Sequence, residues 1–232
     1  MDKMINDDMT YNEISLLKSD ISSFIEYLSN YSHQENFSIS QNDKDFFSFL
    51  CKRICFFKII NQMSQPIYSA KVLISDFYNL IITIIKNQKR YIYLNERSII
   101  ENYMRLILST SLENDHITLN LFNKLQSNHT DIFTKDTFSL LKSEYRMSCS
   151  FVHGGAELEE TLIAYFNKYV EDNSSLAERQ KYYDRLKKVV QNYDLAFLHE
   201  HTSLIDSAFH RKKTVLEYLL GKKYVETLFK IK

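Results

Sequence analysis

Arg146 and His153 are the residues of this chain whose types and spacing best suit them to chemistry. They lie in Ser143-Glu-Tyr-Arg-Met-Ser-Cys-Ser-Phe-Val-His-Gly-Gly155. Seven residues advance a helix by about 700°, so the two side chains fall within roughly 20° of each other and about 10 Å apart along the axis. A neutral imidazole accepts the proton of a ribose 2′-hydroxyl, and its cation protonates a leaving 5′-oxygen. A guanidinium braces the charge that builds on the phosphate between them. The pair is therefore a minimal kit for cutting RNA. RNA supplies its own nucleophile, so this chemistry needs no metal or cofactor, and DNA, without the 2′-hydroxyl, is not a substrate. The alternative is an ordinary surface arginine beside a histidine that caps its helix.

Other chemistries have less to stand on. The chain has no Gly-rich phosphate loop, no HExxH and no GxSxG. Its carboxylates show no metal-binding pattern. His33, His116, His129 and His210 sit in polar or linker contexts, and His199-x-His201 puts two rings on different faces of a helix end. Cys51 and Cys55, one helical turn apart in an apolar segment, read as buried small hydrophobes, and with Cys149 they make an odd count that fits no disulfide framework.

The elements that must position the pair are helices. Only three Gly and one Pro occur in 232 residues, too few to turn the strands of a β or Rossmann-type fold. Ile14, Leu17, Ile21, Phe24, Ile25 and Leu28 make one helical stripe. Phe46, Phe47, Leu50, Ile54, Phe57 and Ile60 make a second, which runs into Pro66. A third helix is expected over 68–87, and a fourth from a cap at Asn95 through about Leu108. A short helix follows around Leu119 to Leu125. Thr134 or Asp136 can cap the next, whose apolar positions are Phe138, Leu141, Tyr145, Cys149 and Val152. It should stop at Gly154-Gly155, because Gly readily takes the left-handed C-cap conformation. A helix is expected over 156–170, and Ser175-Leu-Ala-Glu178 reads as a capping box opening a long helix to about His199. A last helix starts near Arg211.

Charge is balanced overall but not along the chain. Residues 1–41 hold seven acids against two lysines, and residues 211–232 hold seven bases against two acids. The basic end either meets phosphates, forms a solvated face, or pairs with the acidic beginning. The acidic N-terminus does not read as a signal peptide, and the run Leu80 to Ile85 is too short to span a bilayer. A cytoplasmic protein that does not engage the membrane is expected.

Arg146-x6-His153 at a helix end, with its Val-His-Gly finish, resembles the signature of the HEPN superfamily of small helical proteins. The segment Glu96-Arg97-Ser98-Ile-Ile-Glu101-Asn102-Tyr103 also resembles a helix of some bacterial relatives. The resemblance covers roughly residues 70–170. It implies a HEPN-like helical bundle, here residues 66–232 with the basic C-terminal helix, carrying an N-terminal helical extension over 1–65. One continuous domain is the alternative. It implies a metal-independent endoribonuclease of a prokaryotic defence or toxin–antitoxin system, with RNA as substrate and Arg146 and His153 as catalytic residues. Two chains would pair to build one site, and an antitoxin or defence protein would be a further partner. Arg97, Glu101 and Ser150 are the supporting residues. Arg97 and Glu101 either pair within their own helix or fix the Arg146/His153 helix from beside it. The competing reading is a non-catalytic module of the same shape that binds a nucleotide, an RNA or a protein.

Overall fold

The computed structural model describes residues 2–63, 67–109, 119–153, 161–164, 166–167, 176 and 178–230. Most of these are helical and none is in a strand, so the chain is all-α. The helices are α1 (Asp2–Gln34), α2 (Gln41–Met63), α3 (Tyr68–Ile85), α4 (Lys89–Leu108), α5 (Leu119–Asn128), α6 (Lys135–His153), α7 (Arg179–Glu200), α8 (Thr202–Ala208), α9 (Lys213–Leu220) and α10 (Lys222–Lys230). Gly154-Gly155, Pro66, Ser175 and most of 156–170 lie outside the described residues.

The core is built largely from aromatic rings. Phe56, Phe57, Phe77, Tyr103, Tyr193, Phe197 and Phe209 are all buried. Tyr103 of α4 stacks on Tyr193 of α7 with ring centroids 5.2 Å apart, and Phe57 of α2 meets Tyr103 edge-on at 5.7 Å. Offset and edge-to-face geometries add attraction beyond the area they bury. The α2 stripe is thus part of the same buried cluster as α4 and α7.

Polar ties fix which helix faces which. Arg53 of α2 is 3% exposed and its Nε lies 3.0 Å from Oδ2 of the fully buried Asp194 on α7. The Tyr103 hydroxyl donates to the other Asp194 oxygen at 2.8 Å. On α3, Asp76 accepts from the Ser98 hydroxyl at 2.7 Å and the Asn102 amide at 3.2 Å, locking α3 to α4. By length and composition α3 is a helix that could cross a membrane, longer than the six-residue apolar run suggested, yet half of it is buried in this bundle.

Several helix boundaries differ from expectation. α4 begins at Lys89, six residues before Asn95, because Asn87 takes a left-handed φ of 52° that turns the chain directly out of α3. Asn95 therefore sits inside the helix and donates to the Thr83 hydroxyl oxygen at 3.2 Å. Ser175, the expected cap, lies outside the described residues, and Glu178 occupies the N-cap position of α7. Glu178 has φ 58°, which no right-handed helix can pass through, and α7 starts one residue later. A capping box forms at Ser40 and Asp43: the Asp43 N–H donates to the Ser40 hydroxyl oxygen at 3.3 Å, and the Ser40 N–H donates to the Asp43 carboxylate at 2.7 Å. The C-terminal region is three helices where one was expected. Gly221, at φ 113°, separates α9 from α10, a conformation that L side chains rarely adopt. The two oppositely charged chain ends do meet, with Lys212 Nζ 2.8 Å from Glu13 Oε1.

Candidate active site

α6 opens with Thr134, whose hydroxyl oxygen accepts from the Thr137 N–H at 3.5 Å, and Asp136 lies in its first turn, where a carboxylate suits the helix dipole. It runs without a break to His153. One face is spent inward: Phe138, Leu141, Glu144 and Ser148 are buried, and Tyr145, Met147 and Phe151 pack against the core. Phe151 stacks on Tyr93 of α4 with centroids 4.0 Å apart and planes at 1°. The apolar stripe of α6 is thus largely consumed by this chain's own packing with α4 and α7.

Arg146 is exposed, on the opposite side from Glu144 and Ser148. The backbone of His153 ends the helix, while its side chain, like that of Val152, lies outside the described residues. Ser150 is exposed and its hydroxyl donates to the Met147 carbonyl at 2.7 Å, so it is tied to its own helix and not to Arg97 or Glu101.

α4 braces this part of α6. Arg97 Nε donates to Glu101 Oε1 at 2.8 Å, and Arg105 lies 3.5 Å from Glu101 Oε2, the two pairs expected within one helix. The same Glu101 Oε1 also accepts from the Tyr145 hydroxyl at 3.0 Å. The Arg97 guanidinium lies 5.9 Å from the centroid of the Tyr145 ring. Burial pushes the Tyr145 phenol up, and the Glu101 charge pushes it further, so it stays a donor. Tyr145 immediately precedes Arg146, so Glu101 holds the turn that carries Arg146, with Arg97 and Arg105 supplying nearby positive charge.

Behind the brace lies a buried acid pair that the sequence did not single out. Glu96 of α4 is fully buried and Glu144 of α6 is 2% exposed. Arg185 of α7 forms an ion pair with Glu144 at 2.9 Å. Burial drives the Glu96 carboxyl well above the usual range, and the Glu144 charge adds to this against the Tyr182 hydroxyl and Arg185. Burial thus favours the neutral form of Glu96, while Glu144 pairs with Arg185. The signal was present only as acids at positions that helical periodicity places on buried faces. His129, read as a linker residue, is likewise buried, 5.4 Å from the His199 ring and 3.6 Å from Glu200. Burial and the His199 charge lower its pKa. Cys51 and Cys55 are buried free thiols as expected, that of Cys51 pushed up to about 12 by burial.

No protein-family model, curated protein or solved structure matches this chain.

Proposed function

We propose that the chain is a metal-independent RNA endonuclease with a HEPN-like bundle, in which Arg146 braces the scissile phosphate and His153 transfers protons. The observation that carries the reading is the exposed Arg146 on a turn of α6 that Tyr145 and Glu101 anchor to α4. Uninterrupted helix from Arg146 to His153 gives the pair a common face by helix geometry. Fixing this turn sets where the Arg146 side chain leaves the helix, and its exposed guanidinium is then placed to brace charge on a phosphate.

In the proposed reaction a base, His153 of one chain, takes the 2′-hydroxyl proton. The 2′-oxygen bonds to phosphorus, the P–O5′ bond breaks, and an acid returns a proton to O5′. A second His153, from a paired chain, fills the acid role. The products are a 2′,3′-cyclic phosphate and a 5′-hydroxyl. A setting in prokaryotic defence or growth arrest, with an antitoxin or defence protein as partner, rests on the signature resemblance alone.

The test is cleavage of RNA in EDTA by the wild type, Arg146→Ala and His153→Ala. Each substitution is expected to lower the rate by about 10²–10⁴-fold with the melting temperature unchanged. Cleavage that requires Mg²⁺ or Mn²⁺, or that survives both substitutions, overturns the reading.

A further inference from the structure

A second feature lies away from α4 and α6. A cleft of about 900 Å³ opens between α1, α2, α7 and α9, and none of its lining residues belongs to α4 or α6. Five bases line it, including Lys18, Lys52, Arg53 and Lys187, against the two acids Asp45 and Glu217. Two aromatic residues, Phe49 and Tyr218, share the lining.

The cations are not equally satisfied. Arg53 lies over the Phe49 ring at 3.8 Å and its charge is matched by Asp194. Lys52 and Lys18 instead converge on one ring, their ammonium nitrogens 4.3 Å and 5.6 Å from the centroid of Tyr218. Among the described residues no ion pair joins either lysine to a carboxylate. Burial, with Arg53 and Lys18 as like charges, lowers the pKa of Lys52. Crowded cations in a part-desolvated cleft raise one another's energy, and a multivalent anion relieves this.

The size and charge pattern narrow the anion. The volume of this open cleft falls within the range of small-molecule sites. The protein carries no net charge and its pI is about 7.0, unlike a domain that coats nucleic acid with a basic face. Five bases meet in this one cleft, which suits a compact polyanion better than a long strand. The Tyr218 ring adds a flat apolar face of the kind on which a nucleobase stacks.

We propose that this cleft binds a nucleoside polyphosphate, with Lys18 and Lys52 on the phosphates and the Tyr218 ring under the base. The two ammonium groups that cover the ring in the free protein swing to the phosphates, and the face they leave receives the base. This site stands apart from the ribonuclease reading and survives or fails without it.

The experiment is calorimetric titration of the full chain with ATP and GTP at roughly 50 mM salt, where phosphate contacts are least screened. Tripolyphosphate and a short single-stranded RNA are the comparison probes. Wild type is expected to bind at least one of the two nucleotides roughly tenfold or more tightly than tripolyphosphate. The Lys18→Gln/Lys52→Gln double variant should lose roughly tenfold or more of that affinity. Its melting temperature without ligand should equal or exceed that of wild type, because like-charge repulsion has been removed. Tyr218→Leu should reduce nucleotide affinity to the tripolyphosphate level. Arg146→Ala should bind as wild type does, which separates this site from the proposed catalytic one. No nucleotide binding, binding indifferent to the double variant, no preference over tripolyphosphate, or tighter binding of the RNA through the same lysines would each overturn the proposal.

Discussion

The Tyr145 hydroxyl donates to Glu101 Oε1 at 3.0 Å across 44 residues of sequence, and this contact joins α6 to α4 at the turn that carries Arg146. The acceptor oxygen is shared with Arg97, so the bond runs to a carboxylate already held by a cation. A hydrogen bond to a charged acceptor contributes more than one between neutral groups, on the order of 1.5–3 kcal/mol.

Tyr145→Phe removes that bond and leaves the ring packing in place. A loss of stability of about 1–2 kcal/mol is expected in urea unfolding, with RNA cleavage reduced several-fold because Arg146 is less firmly placed. Glu101→Gln keeps an acceptor for Tyr145 and should cost less than Glu101→Ala. If Tyr145→Phe changes neither stability nor cleavage, the contact does not position Arg146.

Asp76 sets a pH dependence whose sign follows from its burial. Desolvation raises its pKa from 3.8 to about 6, against the hydrogen bonds from Ser98 and Asn102, which lower it. The folded chain thus holds this proton more tightly than the unfolded chain does. Its stabilising effect is complete below about pH 4, falls as pH rises towards about 6, and is gone above that. The difference is on the order of 3 kcal/mol. Asp76→Asn keeps an acceptor for Ser98 and Asn102 without a charge to desolvate. It should match wild type near pH 4 and melt higher at pH 7. Glu96 is shifted in the same direction, so the substitution should flatten part of the pH slope and not all of it. A variant less stable than wild type at pH 7 would contradict this assignment.

Arg53 and Asp194 form the buried ion pair between α2 and α7, 3% and 0% exposed. Arg53→Met leaves Asp194 with Tyr103 as its donor in the core, and burial already raises the pKa of Asp194. Breaking such a pair from one side costs about 3–5 kcal/mol. Replacing both partners, as Arg53→Met/Asp194→Leu, should recover part of that loss. Thermal unfolding of the single and double variants measures it, and a single-variant loss below about 1 kcal/mol would mean the pair is solvated.

The proposed reaction draws on two chains. With the α6 stripe packed internally, the proposed pairing is expected to use the exposed Arg146 face together with Leu162, Ile163 and Phe166, which are 90%, 76% and 65% exposed. Light scattering at micromolar concentration should give about twice the 27.6 kDa chain mass. Leu162→Asp with Phe166→Asp should return it to the single-chain value. Mixed Arg146→Ala and His153→Ala chains should recover part of the lost cleavage. A fully active monomer would remove the composite site.

The amino-acid sequence by itself determined the all-helical class, because so few Gly and Pro leave few other ways to turn the chain and because apolar periodicity runs along it. It also determined the inward stripes of α1, α2, α4 and α6, the burial of Cys51 and Cys55, and the placing of Arg146 and His153 on one helix. Those are local properties, fixed by residue spacing within a single element. The partners were decided by the tertiary structure. Glu101 had two intrahelical arginines at the right spacing, yet its contact with Tyr145 depends on how α4 and α6 cross. The box at Ser40 caps α2 locally, yet its Asp43 also accepts from Tyr183 and Arg179 of α7, which only the packing of α2 on α7 brings there. The Glu96–Glu144 pair and the crowding of Lys18 and Lys52 over Tyr218 join residues far apart in sequence. No periodicity encodes such meetings, because they depend on long-range packing and on where burial removes water from a charge.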